Sequence, residues 1–214
     1  MLTIKKNSVI LFQGDSITDA DRQRDNKAPN SPFALGSGYV NHIASRLLLT
    51  RPADTIKFLN RGISGNRIVD LYARWKSDAI NRKPGVISIL IGVNDTWHEF
   101  NDKNGVEPER FRQVYRMMLE YTKEKLPDVQ LVLCEPFVLK CGVVGKAWIA
   151  EMDQRREIVR KLAADFGAIF VPFQAEFDAA EKAAPAPYWL MDGVHPTPAG
   201  HMLMADCWLR TVIG

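Results

Sequence analysis

Two short segments near opposite ends of the 214-residue chain carry side chains that, brought together, could do nucleophilic chemistry. Near the amino terminus, Gly14-Asp15-Ser16-Ile17-Thr18 places a serine directly after an apolar run, where a sharp strand-to-helix turn would present its hydroxyl. Near the carboxyl terminus, Asp192-Gly193-Val194-His195-Pro196 sets an acid three residues before a histidine. With glycine between them and proline fixing the next turn, the carboxylate could face one ring nitrogen while the other faces a nucleophile. Two further segments offer donors to a developing oxyanion. Gly62, in Arg61-Gly62-Ile63-Ser64-Gly65-Asn66, would present an unobstructed backbone N–H, and Asn94, in Gly92-Val93-Asn94-Asp95, a side-chain amide. Each piece alone has an ordinary structural alternative. Ser16 to Asp19 has the form of a capping box, paired glycines make turns, Asn caps turns and helices, and a lone His is usually structural. Ser64 imitates a nucleophile elbow G-x-S-x-G, but Asn66 stands where the second glycine belongs.

These segments share a position relative to the elements around them. Ser8–Gln13, Thr55–Asn60, Val86–Ile91, Val129–Cys134 and Ala168–Val171 are continuous apolar, β-branched runs, the pattern of strands covered on both faces in a parallel sheet. Helical spacing fills the intervals. Tyr39, Ile43 and Leu47 follow Gly36-Ser37-Gly38; Phe111, Val114, Met118, Thr122 and Leu126 run from Pro108 to Pro127; Trp148, Met152, Val159, Leu162 and Phe166 end at Gly167. A last helix opens at Thr197-Pro198, an N-cap followed by proline, and its spacing puts Met202, Ala205 and Leu209 on one face. Five strands alternating with helices predict a three-layer α/β/α fold, doubly wound and flavodoxin-like, in a single domain over residues 1–214. Ligands in such sheets bind beyond the carboxyl ends of the strands, where the chemistry-bearing segments fall.

Composition narrows the alternatives. Lys and Arg number 28 against 25 for Asp and Glu, a balance without the basic excess of a nucleic-acid binder. No apolar stretch approaches the ~20 residues of a membrane span, and Val9–Phe12 is too short for the apolar core of a signal peptide. Cys134, Cys141 and Cys207 show no CxxC spacing, so reduced thiols in a cytoplasmic protein are expected. His42 and His201 fall on helical segments and His98 in a loop after Trp97, and no histidine pair has zinc-site spacing. No metal or organic cofactor is expected.

Taken together, in this order and after these strands, the segments resemble the SGNH hydrolase superfamily, the GDSL esterases, over Val9 to about Ala205. The resemblance implies Ser16 as nucleophile, His195 as general base, Asp192 as its partner, and an oxyanion hole from the Ser16 and Gly62 N–H groups and the Asn94 amide. Ala34-Leu35-Gly36-Ser37-Gly38-Tyr39-Val40, Asn60 to Asn66, Ala73-Arg74-Trp75 and Val194-His195-Pro196 with Ala199-Gly200-His201-Met202 are similar to the bacterial acetylxylan-esterase branch. Met191 stands before the triad Asp where that branch carries Trp. The branch implies a small-molecule or oligosaccharide ester as substrate, with self-association compatible.

The segment after Ser16 bears on acyl length. Ala20–Asn30 is charged and polar, without the apolar lid of an interfacial lipase. Tyr39, Trp97, Tyr188 and Trp189 are candidate aromatic surfaces for a sugar, whereas Trp75, Trp148 and Trp208, all on helices, read as core. The expected activity is removal of acetyl groups from carbohydrate, with acetylated xylo-oligosaccharides foremost. An esterase, thioesterase or lysophospholipase of the same superfamily is the nearer alternative. A noncatalytic flavodoxin-like binding module is the more distant one, disfavoured because no phosphate-binding glycine loop directly follows a strand.

Overall fold

The computed structural model describes residues 1–214. Its centre is a five-stranded, wholly parallel sheet: β1 (Val9–Gly14), β2 (Lys57–Asn60), β3 (Val86–Leu90), β4 (Gln130–Cys134) and β5 (Ile169–Val171), in the order β2-β1-β3-β4-β5. Each strand lies where an apolar run stands in the sequence. Side chains alternate across the sheet, so a run buried on both faces feeds two cores. Ile10, Phe12, Leu90 and Val132 face a core covered by the Tyr39–Thr50 and Pro198–Val212 helices. Leu11, Ile87, Ile89, Leu131 and Leu133 face the opposite core, covered by the Ile68–Ala73, Pro108–Lys125 and Lys146–Asp165 helices. This is the three-layer α/β/α architecture that the alternation implies.

The indoles of two buried tryptophans within the layers are paired. The Trp208 indole donates to Ser88 Oγ (3.0 Å) on β3, and Trp75 donates to Thr122 Oγ1 (2.8 Å), so both buried tryptophans belong to the core, as their helical positions predict. Trp148 is likewise buried.

Some local expectations are corrected. His98 is not in a loop but on the Val93–Asp102 helix, which Gly92 opens with a φ of +131°. On the last helix Met202 is 42% exposed, and Met204, Cys207 and Trp208 turn inward beside Ala205 instead. The helix wraps against both a sheet and a neighbouring helix, and its buried stripe is wider than the spacing of three residues suggests.

The order of strands sets the site. β1 is flanked by β2 on one side and β3 on the other, so successive connections diverge beyond its carboxyl end and open a crevice there. The chain leaving β1 carries Ser16, that leaving β2 carries residues 61–66, and that leaving β3 carries Asn94.

Candidate active site

Ser16 opens a single helical turn, Ser16–Asp19, capped by Asp15, whose Oδ1 accepts the Ile17 N–H (3.1 Å). The cap is thus Asp15 rather than Ser16, which leaves the serine hydroxyl uncommitted to the backbone. The turn is held tight against the sheet: a side chain at Gly14 would stand 2.4 Å from the Leu90 carbonyl oxygen. Ala20 ends the turn in the left-handed region at φ +43°.

His195 comes from a compact loop between Trp189 and the last helix. An antiparallel bridge joins Leu190 to Pro196, and the Met191 N–H donates to the His195 carbonyl (2.9 Å). Gly193 adopts φ +92°, and a Cβ there would meet the Cys141 carbonyl oxygen at 2.5 Å, so only glycine fits. Inside this turn Asp192 Oδ1 accepts the N–H groups of Val194 (2.9 Å) and His195 (2.8 Å), while Oδ2 lies 2.7 Å from His195 Nδ1. His195 Nε2 in turn lies 2.9 Å from Ser16 Oγ. The acid, the imidazole and the serine therefore form one continuous relay. Burial raises the Asp192 pKa, but the backbone and side-chain bonds from His195 and the Val194 N–H outweigh it, and the net shift is downward. The carboxylate stays ionised and fixes the proton of the neutral ring on Nδ1, leaving Nε2 as the acceptor.

Asn94 sits in the first turn of its helix, 7% exposed, and its Nδ2 donates to the Asn66 carbonyl (3.2 Å). That bond sets the amide against the loop leaving β2. Within this loop the structure changes the identity of the available N–H. The Gly62 N–H is occupied by Asn60 Oδ1 (2.9 Å), its carbonyl accepts from Arg22 Nε (2.9 Å), and a Cβ there would lie 2.4 Å from the Asp19 nitrogen. Gly62 is therefore a close-packing glycine, not the open donor expected from the sequence. Gly65 is the open one: φ is +83°, nothing stands near its Cβ position, and its N–H has no partner in the chain. The Ser64-Gly65 pair was visible in the sequence; which glycine kept its N–H free depended on the direction of the Asn60 side chain.

Asp19, which the sequence suggests only as the end of a capping box, instead braces the serine turn against the loop after β2. Its Oδ2 accepts the N–H and hydroxyl of Ser64 and is paired with Arg24, tying the loop after β2 to the serine turn. Two buried carboxyls lie near the relay. Burial pushes Asp15 and Asp95 each up to about 7; Asp95 accepts the Ile68 N–H, and its negative charge is partly offset by Arg155.

The proposed aromatic contacts separate into different roles. Trp97 adjoins the relay, its ring centroid 5.6 Å from that of His195 and braced edge-on by Trp148. Tyr39 does not face substrate: it is fully buried, bonded through its hydroxyl to Thr18 Oγ1 (3.0 Å) and packed on Phe12 and Phe173. Tyr188 is 57% exposed, and Trp189 is spent on the core and on a bond to the Ala184 carbonyl. Neither lines the cleft beside Ser16. That cleft, of about 490 Å³, is bordered by Ser16 and His195 and also by Asp21, His42, Met191 and His201. His42 and His201 lie on helices as expected, yet both face the site. A smaller cleft of about 280 Å³ at the amino ends of the strands, near Ser8, Gly85 and Gln130, has no such relay. No cluster of three or more His, Cys, Asp or Glu side chains is arranged to hold a metal ion. No helix is long and apolar enough to cross a membrane.

Comparison with known proteins agrees with this architecture. Residues 12–203 match the GDSL-like lipase/acylhydrolase family. The chain is 34% identical over 215 aligned residues to the acetylxylan esterase of Geobacillus stearothermophilus, covering 99% of this chain and 96% of that one. A crystal structure of that esterase superposes with a TM-score of 0.91 at 33% identity, covering 100% and 97% of the two chains. Its catalytic mutants, with a serine, an aspartate or a histidine replaced by alanine, match equally well. A Parabacteroides merdae protein assigned as a GDSL-like lipase superposes with a TM-score of 0.94 at 48% identity, covering 98% and 97%. With a parallel sheet of this topology and a family match over most of its length, the chain belongs to the GDSL-like lipase/acylhydrolase family and is an esterase of the GDSL type.

Proposed function

We propose that this esterase removes acetyl groups from carbohydrate, foremost from acetylated xylo-oligosaccharides, through an acetyl-Ser16 intermediate. The observation that carries the reading is the unbroken relay from Asp192 through His195 to Ser16, opening on a polar cleft. His195 Nε2 takes the Ser16 proton as Oγ attacks the acetyl carbonyl carbon. The oxyanion meets the second proton of the Asn94 amide and the free Gly65 N–H, with the Ser16 N–H at the start of its turn. Collapse expels the sugar oxygen, which takes the proton back from the imidazolium. Water, activated by the same ring, then releases acetate and restores the serine. Asp192 holds the ring and stabilises its protonated form without itself being protonated.

Asn94→Ala lowers kcat by on the order of 10²–10³ with little change in KM, because the amide bond to oxygen strengthens as negative charge develops. Steady-state kinetics on p-nitrophenyl acetate provide the check, and a variant within twofold of wild type would leave Asn94 as a turn residue only.

Acyl length tests the substrate reading. Each methylene buried in an acyl tunnel would add ~0.8 kcal/mol of binding, so a lipid-acyl hydrolase gains with chain length. Here the cleft walls carry Asp21, His42 and His201, and the chain behind Ser16 from Ala20 to Asn30 is polar. Across p-nitrophenyl esters of increasing length, kcat/KM is expected to fall steeply from acetyl to butyryl and to be negligible beyond about eight carbons, where no buried methylene repays the added length. A maximum among the long chains would replace the carbohydrate reading with a lipid-acyl one. Acetate release from acetylated xylo-oligosaccharides, pectin and simple sugar acetates then ranks the natural substrates. We further place the protein in the cytoplasm, a location supported by three unpaired cysteines, two of them buried.

A further inference from the structure

Four polar side chains of the cleft wall, Ser37, Ser64, Asp21 and His201, have a fixed hydrogen-bonding sense. Ser37 Oγ donates its proton to the Ala20 carbonyl (3.2 Å), and Ser64 Oγ donates to Asp19 Oδ2 (3.1 Å). A hydroxyl has one proton, so both serines present only lone pairs to a molecule entering the cleft. Asp21, exposed and held at φ +58°, adds a carboxylate to the same wall. The wall is therefore rich in acceptors, and no lysine or arginine borders it.

His201 supplies the opposite sense. Its Nδ1 accepts the Tyr39 N–H (3.2 Å), so the neutral ring carries its proton on Nε2. Burial, with the His42 and His195 rings nearby, presses the pKa of His201 down to about 4, and the ring stays neutral under ordinary conditions. Nε2 has no partner in the chain and is not sealed in the interior, so its N–H is available to the cleft that the residue lines.

Resting on the carbohydrate reading above, we propose that this wall selects an uncharged polyhydroxylated alcohol as the leaving half of the ester. His201 Nε2–H is its specificity-determining donor, and the oxygens of Ser37, Ser64 and Asp21 accept from its hydroxyls. An acceptor-rich wall with a carboxylate and neither lysine nor arginine disfavours uronate or phosphate groups, which bring no protons to donate. The covalent chemistry is unchanged; the inference concerns which alcohol is held while Ser16 attacks.

Two substitutions at His201 separate the binding role from a structural one. In Asn the side-chain oxygen stands near the place of Nδ1 and can keep the Tyr39 bond, whereas in Gln the amide nitrogen reaches toward the place of Nε2. The readout is the ratio of kcat/KM on acetylated xylo-oligosaccharide to kcat/KM on p-nitrophenyl acetate, whose leaving group carries no sugar hydroxyls. His201→Asn is expected to lower this ratio about tenfold, the worth of one hydrogen bond, and His201→Gln to retain most of it. If Asn outperforms Gln, or both substrates fall together, His201 is structural and the inference is overturned. Asp21→Asn is expected to raise turnover of acetylated oligogalacturonate relative to the neutral sugar about fivefold, the effect of removing one exposed like charge; an unchanged ratio overturns the charge selection. A wild-type enzyme active on p-nitrophenyl acetate but on no sugar acetate would overturn the carbohydrate reading and this inference with it. Wild-type sugar activity with unmoved ratios would overturn the inference alone.

Discussion

Ser16→Ala is expected to lower kcat by on the order of 10⁶ while leaving the melting temperature nearly unchanged. The hydroxyl makes a single bond within the chain, to His195 Nε2, and the residue is only partly buried, so its loss removes little that holds the fold. A net hydrogen bond of this kind is worth roughly 0.5–1.5 kcal/mol to stability. In the proposed mechanism its contribution to the reaction is of a different order, because there Oγ is the atom that forms the covalent bond. His195→Ala should match this loss, and the double variant should be no slower than either single one, since the pair acts as a unit. The residual rate reflects the oxyanion donors, which both variants keep. Turnover of p-nitrophenyl acetate, measured alongside thermal unfolding, decides the matter: a loss below about a hundredfold, well short of that expected for a nucleophile, would place the attacking atom elsewhere.

Asp192→Asn is expected to cost about 10⁴ in kcat although it changes a single oxygen to nitrogen. The reason lies in the two N–H groups that Asp192 Oδ1 accepts, from Val194 and His195. An asparagine must turn its oxygen toward those donors, because the reverse orientation sets an NH₂ group against two backbone N–H groups. Its NH₂ then faces His195 Nδ1 at the position where Oδ2 now stands 2.7 Å away. That forces Nδ1 to accept and Nε2 to carry the proton, so the ring approaches Ser16 as a donor and cannot act as a base. The expected signature is a large fall in kcat with the loop intact, and partial recovery at high pH, where hydroxide can activate the serine directly. A variant within tenfold of wild type, far from the cost of a wrong tautomer, would show that the imidazole is oriented by something other than Asp192.

The strands and the serine–histidine–aspartate set were legible in the sequence for related reasons. Continuous apolar runs such as Val86–Leu90 survive as strands because both faces of a parallel sheet are buried. The polar residues that follow β1 and β3 are then obliged to gather at one edge. What escaped depends on side-chain direction, which spacing alone does not encode. Gly62 and Gly65 are three residues apart in the same loop, yet Asn60 Oδ1 reaches back to one N–H and leaves the other open. Tyr39 opens its helix as expected, but its ring turns into the core, where Thr18 satisfies the hydroxyl. The Val93–Asp102 helix is hidden by its polar composition, and His98 with it, because its buried residues are the four of its first turn, Val93 to Thr96, and no apolar spacing runs along its length. His42 and His201 read as ordinary helical residues; only the meeting of two helices beside the serine turn brings them to the cleft.

The most direct test of the account is to trap the acyl-enzyme. Wild-type protein is mixed with acetylated xylo-oligosaccharide, quenched in acid within the first turnovers, digested, and its peptides are read by mass spectrometry. The expected result is an acetyl group on Ser16 and on no other residue, absent from Ser16→Ala, with acetate released in step. Acetate release without acetylation of Ser16, or acetylation at another side chain such as Ser64, would contradict it.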